Sequence, residues 1–488
     1  MNTQGIHKKQ ILMDPLALLG QLKSDITADT STLQTSHTAY QSVFQQQTVL
    51  TDEIKACSRK IGEAKKQNLS IDNLKAQTRA ISLQLRPLTK RLKKLEEEIL
   101  VEFTRLYNHD GLALKENDAL INAGMNCRNR YRLTETTPQA IAINVIDTNT
   151  DKSAKDFQRW NQYVLNHAAG TIHHQIDWQH IMHQPYGHTS YYFYASTADG
   201  SIVGILPIVR LTSKLFGDLM VSMPFFQRGG AIADNAEIEN QLMESANKNA
   251  QSSGVSHIEY RDDISHEDMS VTTRKVNMVL TLPESNEGLW DSFSSKLRSQ
   301  IKRPLRENPQ KNIGGLEYLD DFYKVYTRNM RDLGSPVHSK DFIKAILESF
   351  PENSWLVIVY HNNRAVAAAL LLAYKDTMEI PLASTIRDAN RFSMNMFLYW
   401  EVLKFATKNK YKYFDFGRSS LDSGTYRFKQ QWGAKPKQLY WHYWLADGVE
   451  LPKLNPDNPK YALAITIWKR LPIFITKWLG PLIVRNLP

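Results

Sequence analysis

The hydrophobic positions along the chain follow two regimes. From Tyr40 the apolar residues Val43, Leu50, Ile54, Cys57, Ile61 and Ala64 recur at steps of three and four, with the polar Gln47 in register, which is the seam of a coiled coil. KKQNLSIDN then supplies turn residues, Ser70 offers an N-cap, and the pattern resumes as Leu74, Thr78, Ile81, Leu85, Leu88, Leu92, Leu95 and Ile99. Two seams facing each other across a short turn predict an antiparallel helical hairpin over residues 1–110. Its return helix, roughly thirty residues at 1.5 Å each, reaches about 45 Å, too long for a connector between compact domains. Pro87 lies inside that helix and is expected to kink it.

Residues 111–138 have mixed polar composition without a period and read as a linker. From QAIAINVID onward, short alternating runs interleave with helical stretches, the mark of an α+β architecture. SYYFYAST, SIVGILPIVRL, HIEYRDD and VNMVLTL are the strands expected in a first half. SWLVIVYHN, AVAAALLLAYK, TMEIPLAST and YKYFDFG are expected in a second, with LYWHYWLA closing it. Helical stretches at 235–253 and 393–410 each precede a strand, which suggests two copies of one unit, 139–275 and 276–450. The remainder, 451–488, is an amphipathic segment broken by Lys469, Arg470, Pro472, Lys477 and Pro481. It falls short of the ~18 uninterrupted apolar residues of a spanning helix and is expected to pack on the core or to lie on a membrane surface.

Composition adds a basic excess, 60 Lys and Arg against 50 Asp and Glu, which admits nucleic acid, phosphate-bearing ligands or an anionic membrane as partners. Two cysteines, Cys57 and Cys127, lie far apart, so neither a disulfide framework nor a cysteine-rich zinc site is indicated, and a cytoplasmic location is expected. IHHQIDWQHIMHQPYGH is rich in histidine but lacks the acidic partner of a metalloprotease motif. No metal is expected there.

The outer faces of the hairpin carry Arg59, Lys60, Lys65 and Lys66 on the way out and Lys75, Arg79, Arg86 and Lys90 on the return. Such a basic rod suits a phosphate backbone; a dimerising coiled coil with a solvated face accounts for the same spacing and would make the protein a homodimer. The wording, from MDPLALL through FQQQTVLTDEIKACSRKIGEAKKQN to LKAQTRAISLQLRPLTKRLKKLEEEIL, resembles the N-terminal tRNA-binding arm of seryl-tRNA synthetases. That resemblance implies a grip on the long variable arm of serine tRNA. Pro87 departs from the pattern, and no class II synthetase motif follows the arm.

From about residue 155 to the C-terminus a second resemblance appears. HTSYYFYASTADGSIVGILPIVRLTSKLFGDLMVSMPFFQRGG, KLRSQIKRPLRENP, FYKVYTRNMRDLGSPVHSKDFI and YFDFGRSSLDSGTYRFKQQWGAKPKQL are similar to FemAB-related proteins of exosortase (PEP-CTERM) and exopolysaccharide clusters. The resemblance implies a pair of GNAT-type acyltransferase folds that pass an amino acid from aminoacyl-tRNA to an amine. FemA-type relatives insert a helical arm in the second fold, whereas here it precedes both.

Aminoacyl transfer needs a neutral amine, a route for its proton and positive charge at the carbonyl oxygen, with no cofactor. Lys429 in FKQQWG matches the family position beside the aminoacyl ester and is expected to stabilise the oxyanion. Asp415 and Arg418 flank Gly417 at a strand end; Asp415 is expected to accept the amine proton or to orient Arg418. Tyr426, Phe428 and Trp432 are expected to wall the pocket, where a terminal adenine could stack on one of them, with core packing the role of at least one. Arg298, Lys302 and Arg303 are expected to hold a phosphate, and Arg331 and His338 to sit on a substrate loop. The turn before 393–410 reads RDANRFSMNM, without the glycine that would let backbone N–H groups approach the pyrophosphate of coenzyme A. The reading is a seryl-tRNA-dependent N-acyltransferase; an acyl-CoA enzyme with a dimerising arm and a non-catalytic tRNA-binding protein are the alternatives.

Overall fold

The computed structural model describes residues 12, 15–16, 30–66, 72–108, 141–147, 154–213, 217–266, 269–451 and 459–487. The chain forms two compact units, Met1–Asn126 and Cys127–Pro488. The turn 67–71 with Ser70 and the linker 111–138 fall outside the described residues.

In the first unit, α1 (Ser31–Lys66) and α2 (Asp72–Asn108) pack along each other as a hairpin. The seam positions are the buried ones: Tyr40, Val43 and Cys57 on α1, and Ile81, Leu92, Leu95 and Ile99 on α2. Gln47 donates through Nε2 to Thr89 Oγ1 at 3.1 Å, so the polar break in one seam meets a polar residue on the other. One detail differs from expectation. α1 starts at Ser31 with Leu33 fully buried, a stretch whose sparse apolar residues give too weak a period to be read. α2 is helical on both sides of Pro87, whose ring is exposed.

The second unit opens with β1 (Ala142–Asp147), α3 (Ala154–Asn166), α4 (Trp178–Tyr186), β2 (Thr189–Ser196), β3 (Ile202–Ser213) and β4 (Gly217–Val221). β5 (Ile232–Ala233), α5 (Ala236–Ser252), β6 (His257–Asp262) and β7 (Ser270–Thr272) follow. Next come β8 (Lys275–Thr281), α6 (Asn286–Ser292), α7 (Ser295–Leu305), β9 (Gln310–Gly314), α8 (Leu319–Leu333) and α9 (Lys340–Ser349). β10 (Ser354–His361), β11 (Arg364–Tyr374), β12 (Thr377–Thr385), α10 (Met394–Lys408), β13 (Tyr413–Ser420) and α11 (Gly424–Gln431) build the second half. β14 (Lys435–Gln438), β15 (Tyr440–Leu445), α12 (Pro459–Trp468) and α13 (Ile473–Val484) complete the chain.

Two sheets share one plan. The first runs β1-β2-β3-β4-β6-β15-β7, with β5 beside β3, and the second β9-β10-β11-β12-β13-β8-β14. In each the first four strands are antiparallel neighbours, the fourth and fifth are parallel, and the last two antiparallel. The helix expected before the fifth strand is present in both, α5 before β6 and α10 before β13. The unit therefore is repeated, but the halves are interlocked. β8, grouped with the first-half strands although it starts at the expected boundary of 275/276, lies in the second sheet, and β15, read as closing the second half, lies between β6 and β7 in the first. An alternating pattern records which face of a strand is buried and nothing about which of two similar sheets receives it.

β11 is the central strand of the larger core. Ala367 to Ala373 are at most 1% exposed, and α8 and α10 both pack on it, as the uninterrupted apolar run requires. Burying each of Leu370, Leu371 and Leu372 contributes about 2 kcal/mol. α8 turns Phe322, Val325 and Tyr326 inward at helical spacing and ends at Gly334, φ +83°, a left-handed cap.

Candidate active site

The second parallel pair holds only three residues, Thr377 to Glu379 against Tyr413 to Asp415, before β12 and β13 part. Directly beyond, the register of β13 with β8 shifts between Asp415 and Arg418, and Gly417 adopts φ +76°. In a regular strand consecutive carbonyls point to opposite sides; this bulge lets those of Gly417 and Arg418 converge. Both accept from Lys429 Nζ, at 2.9 and 2.8 Å. Lys429 sits on α11, whose N-cap Ser423 Oγ accepts from Tyr426 N at 3.1 Å. An ammonium has three donors, and the described residues accept from two of them at Lys429. Burial pushes its pKa down to about 8, with Asp415 opposing and Arg418 adding to that shift.

β13 also extends to Ser420, three residues past the expected strand YKYFDFG, so FGRSS is strand, and Lys429 is carried by α11.

Asp415 is fully buried. Its Oδ1 accepts from Gly417 N at 2.7 Å, and its Oδ2 from Asn277 Nδ2 on β8 and Arg228 Nη2 at 3.2 Å. The carboxylate thus accepts three hydrogen bonds, which tie it to the bulge, to β8 and to Arg228, and among the described residues it makes none to Arg418. Arg418 instead turns outward, its guanidinium 5.3 Å from the Trp441 ring of β15.

Arg228 comes from the loop after β4, in FFQRGG. Gly230 lets that loop press against β6, since a Cβ there would stand 2.7 Å from Asp262 Oδ2. Burial opposes the Arg228 charge, but Asp415, Asp263, Glu379 and Asp262 outweigh it and raise its pKa. Beside it, His173 Nε2 lies 2.8 Å from Glu379 Oε1, tying the segment before α4 to β12, while His174 Nε2 lies 3.1 Å from Gly230 O. The first sheet repeats the device. Glu259 occupies on β6 the position of Asp415 on β13, the last residue of the parallel pair, and meets Arg261 at 2.7 Å and Tyr443 Oη of β15 at 2.8 Å.

Trp432 does not wall a pocket. It is fully buried between Phe293, at 5.4 Å edge-on, and Tyr399. Phe428 packs edge-on against Tyr399 at 4.9 Å, and Phe428 and Tyr426 are partly buried against the same core. His338 is buried beside Phe225 and Phe342 with Nδ1 2.9 Å from Tyr186 Oη, and burial holds its pKa down at about 3. Arg331 pairs with Asp332 and donates to Leu471 O, so the expected substrate loop docks the C-terminal segment instead.

Arg298 and Lys302 do come together, lining with Trp290, Ser295, Ser299 and Arg306 an open cavity of about 450 Å³. Arg303 leaves this group and donates to Arg391 O in the turn before α10. That turn is a 3-10 helix, Arg387–Phe392, and the first residues of α10, Met394 and Met396, are buried. On the hairpin, Lys60, Lys75 and Arg79 are exposed; the side chains of Arg59, Lys65, Lys66, Arg86 and Lys90 lie outside the described residues. Among the described residues, Glu239, Asp262 and His266 bring one ligand-type atom each within 4.8 Å of one another, a cluster that spacing did not disclose.

Arg228, Asn277 and Glu379, which gather with Asp415 at the splay, were not singled out from the sequence. For Asn277 and Glu379 a signal existed: each is a polar residue inside an otherwise apolar strand, KVNMVLT and TMEIPLAST.

A mixed sheet with a parallel pair that splays at its middle, and a polar cluster at the splay, define an acyltransferase of the GNAT type. The family model for the acetyltransferase (GNAT) domain matches residues 295–430, which run from α7 to α11 and include Asp415, Arg418 and Lys429. Two sheets of one plan lie in the chain, the second of them within the matched domain, and this is the architecture implied by the FemAB resemblance. Among solved structures, the crystal structure of FemX is 14% identical, with 58% of this chain and 95% of that chain covered at a TM-score of 0.48. The C-terminal domain of a putative lysylphosphatidylglycerol synthetase from Agrobacterium fabrum is 12% identical, covering 59% and 91% at 0.42. A tandem GNAT protein from the clavulanic acid biosynthesis pathway is 10% identical, covering 63% and 98% at 0.40. No curated protein matches the chain.

Proposed function

We propose that this acyltransferase moves an aminoacyl group, serine, from its tRNA to an amine on a cell-surface glycan, a lipid-linked intermediate or a small metabolite. The observation that carries this is Lys429, a buried ammonium held by two converging carbonyls. In the reaction the amine nitrogen bonds to the ester carbonyl carbon, Lys429 supports the oxyanion, the ester C–O bond breaks, and the amine proton leaves with the departing ribose oxygen. Asp415, Arg228 and Asn277 fix the bulge that aims Lys429. Tyr426 and Phe428, partly exposed beside it, offer faces for the terminal adenine.

Two features favour tRNA over coenzyme A as donor. The turn Arg387–Phe392 has no glycine, and the buried methionines of α10 leave its backbone N–H groups less approachable. The basic hairpin supplies a handle for a long nucleic acid, with Lys60, Lys75 and Arg79 facing solvent. Arg298 and Lys302 suit a phosphate of the tRNA or of the acceptor. The reaction belongs in the cytoplasm, where aminoacyl-tRNA is made.

The test compares binding of the full chain, and of a chain lacking residues 1–110, to serine tRNA and to a tRNA with a short variable loop. Preference for serine tRNA, lost on truncation and steeply weakened by salt, is expected. Lys429→Ala should then abolish seryl transfer with tRNA binding intact. Absence of tRNA binding by both chains overturns the donor and leaves acyl-CoA, with the hairpin a coiled coil.

A further inference from the structure

Phe474, Trp478 and Leu482 stand on successive turns of α13 and are 71, 70 and 45% exposed. Single exposed apolar residues need no explanation, but a row containing Trp and Phe does. The row is also held outward, because the other side of the helix is docked. Thr476 and Gly480 are buried, and a Cβ on Gly480 would meet Val337 at 2.8 Å. Arg485 O lies 2.8 Å from His188 Nε2, Leu471 O accepts from Arg331, and Trp468 Nε1 donates to Ser335 O at 3.1 Å. α12 adds the exposed Ile465 and Ile467.

On α12 and α13 themselves the charge has one sign. Lys469, Arg470 and Lys477 are exposed, and residues 459–488 contain no Asp or Glu. Of the acids on neighbouring α8, Asp320 is paired with Lys340 and Asp332 with Arg331.

We propose that α12 and α13 seat the protein on an anionic phospholipid surface, with Phe474, Trp478 and Leu482 among the headgroups and Lys469, Arg470 and Lys477 against the phosphates. α13 is about 18 Å long, too short for a hydrocarbon core of about 30 Å, so it lies in the plane of the interface. Trp and Phe within a cationic rim are the chemistry of that interface, whereas a lysine-rich rim is unusual for a protein partner. A second copy of the chain across a twofold axis would bring the three cations against themselves. The inference does not depend on the acyl donor.

Flotation of the full-length protein with phosphatidylcholine vesicles, alone or mixed with phosphatidylglycerol, tests this. Binding is expected with phosphatidylglycerol only, about tenfold weaker or worse in Phe474→Ser/Trp478→Ser, a pair of exposed sites whose replacement leaves the melting temperature in place. Lys469→Gln/Arg470→Gln/Lys477→Gln should reduce the response to phosphatidylglycerol. Three results overturn the proposal: no binding to either vesicle, equal binding by the Phe474→Ser/Trp478→Ser protein, which would assign the lipid to the basic hairpin, or a wild-type dimer that the same variant converts to monomer.

Discussion

Arg228, on the loop after β4 of the first sheet, places Nη2 3.2 Å from Oδ2 of Asp415, at the splay of the second. The pair joins the two copies of the fold at the point where the strands part, and Asp415 in turn holds the N–H of Gly417. One fold thus sets the shape of the site carried by the other. Arg228→Met is expected to lose about 3 kcal/mol of stability, because it strands buried Asp415 among fewer donors. Chemical denaturation of the variant measures it; a loss below about 1 kcal/mol would show that water replaces the guanidinium without penalty.

Lys429 gives the pH behaviour a definite sign. With its pKa pushed down to about 8, the ammonium needed for the oxyanion is lost as pH rises past that value, so transfer should fall there. Lys429→Arg should retain charge and move the falling limb to higher pH. Stability runs the other way. Between about 8 and the ordinary 10.5 the unfolded chain binds more protons at this residue than the folded one, so unfolding free energy rises with pH across that window. Lys429→Met should flatten the rise.

Gly417 is required by its backbone, not by space, since nothing stands within 4 Å of a Cβ there. At φ +76° an alanine is strained by about 1 kcal/mol. Gly417→Ala should therefore lower the melting temperature slightly and the transfer rate far more, because the two carbonyls that aim Lys429 are displaced. Equal loss in both would argue that the bulge serves folding alone.

The interlocked strands predict what division of the chain does. Cut between residues 275 and 276, the first fragment lacks β15 and leaves β6 an open edge. Expressed alone, 127–275 should be insoluble; co-expressed with 276–488, it should be recovered in a stable complex, as pull-down on either fragment would report.

Much of this protein was legible in its sequence. Nine of the expected strands lie within a few residues of their observed bounds, from SYYFYAST on β2 to LYWHYWLA on β15, because period-two burial is a local property of the chain. The hairpin seams were legible for the same reason, and so was FKQQWG, whose lysine does stand beside the end of β13. His338 was misplaced because a histidine near a motif reads alike whether it faces a ligand or a core. What the sequence by itself determined was most of the longer strands, the hairpin seams and the repeat. The tertiary structure alone decided that β8 and β15 trade sheets, that Asp415 is answered by Arg228 from the other fold, and that the face bearing Phe474 and Trp478 is left uncovered. Those are contacts between residues far apart in the chain, and their cost or gain depends on geometry that no local pattern encodes.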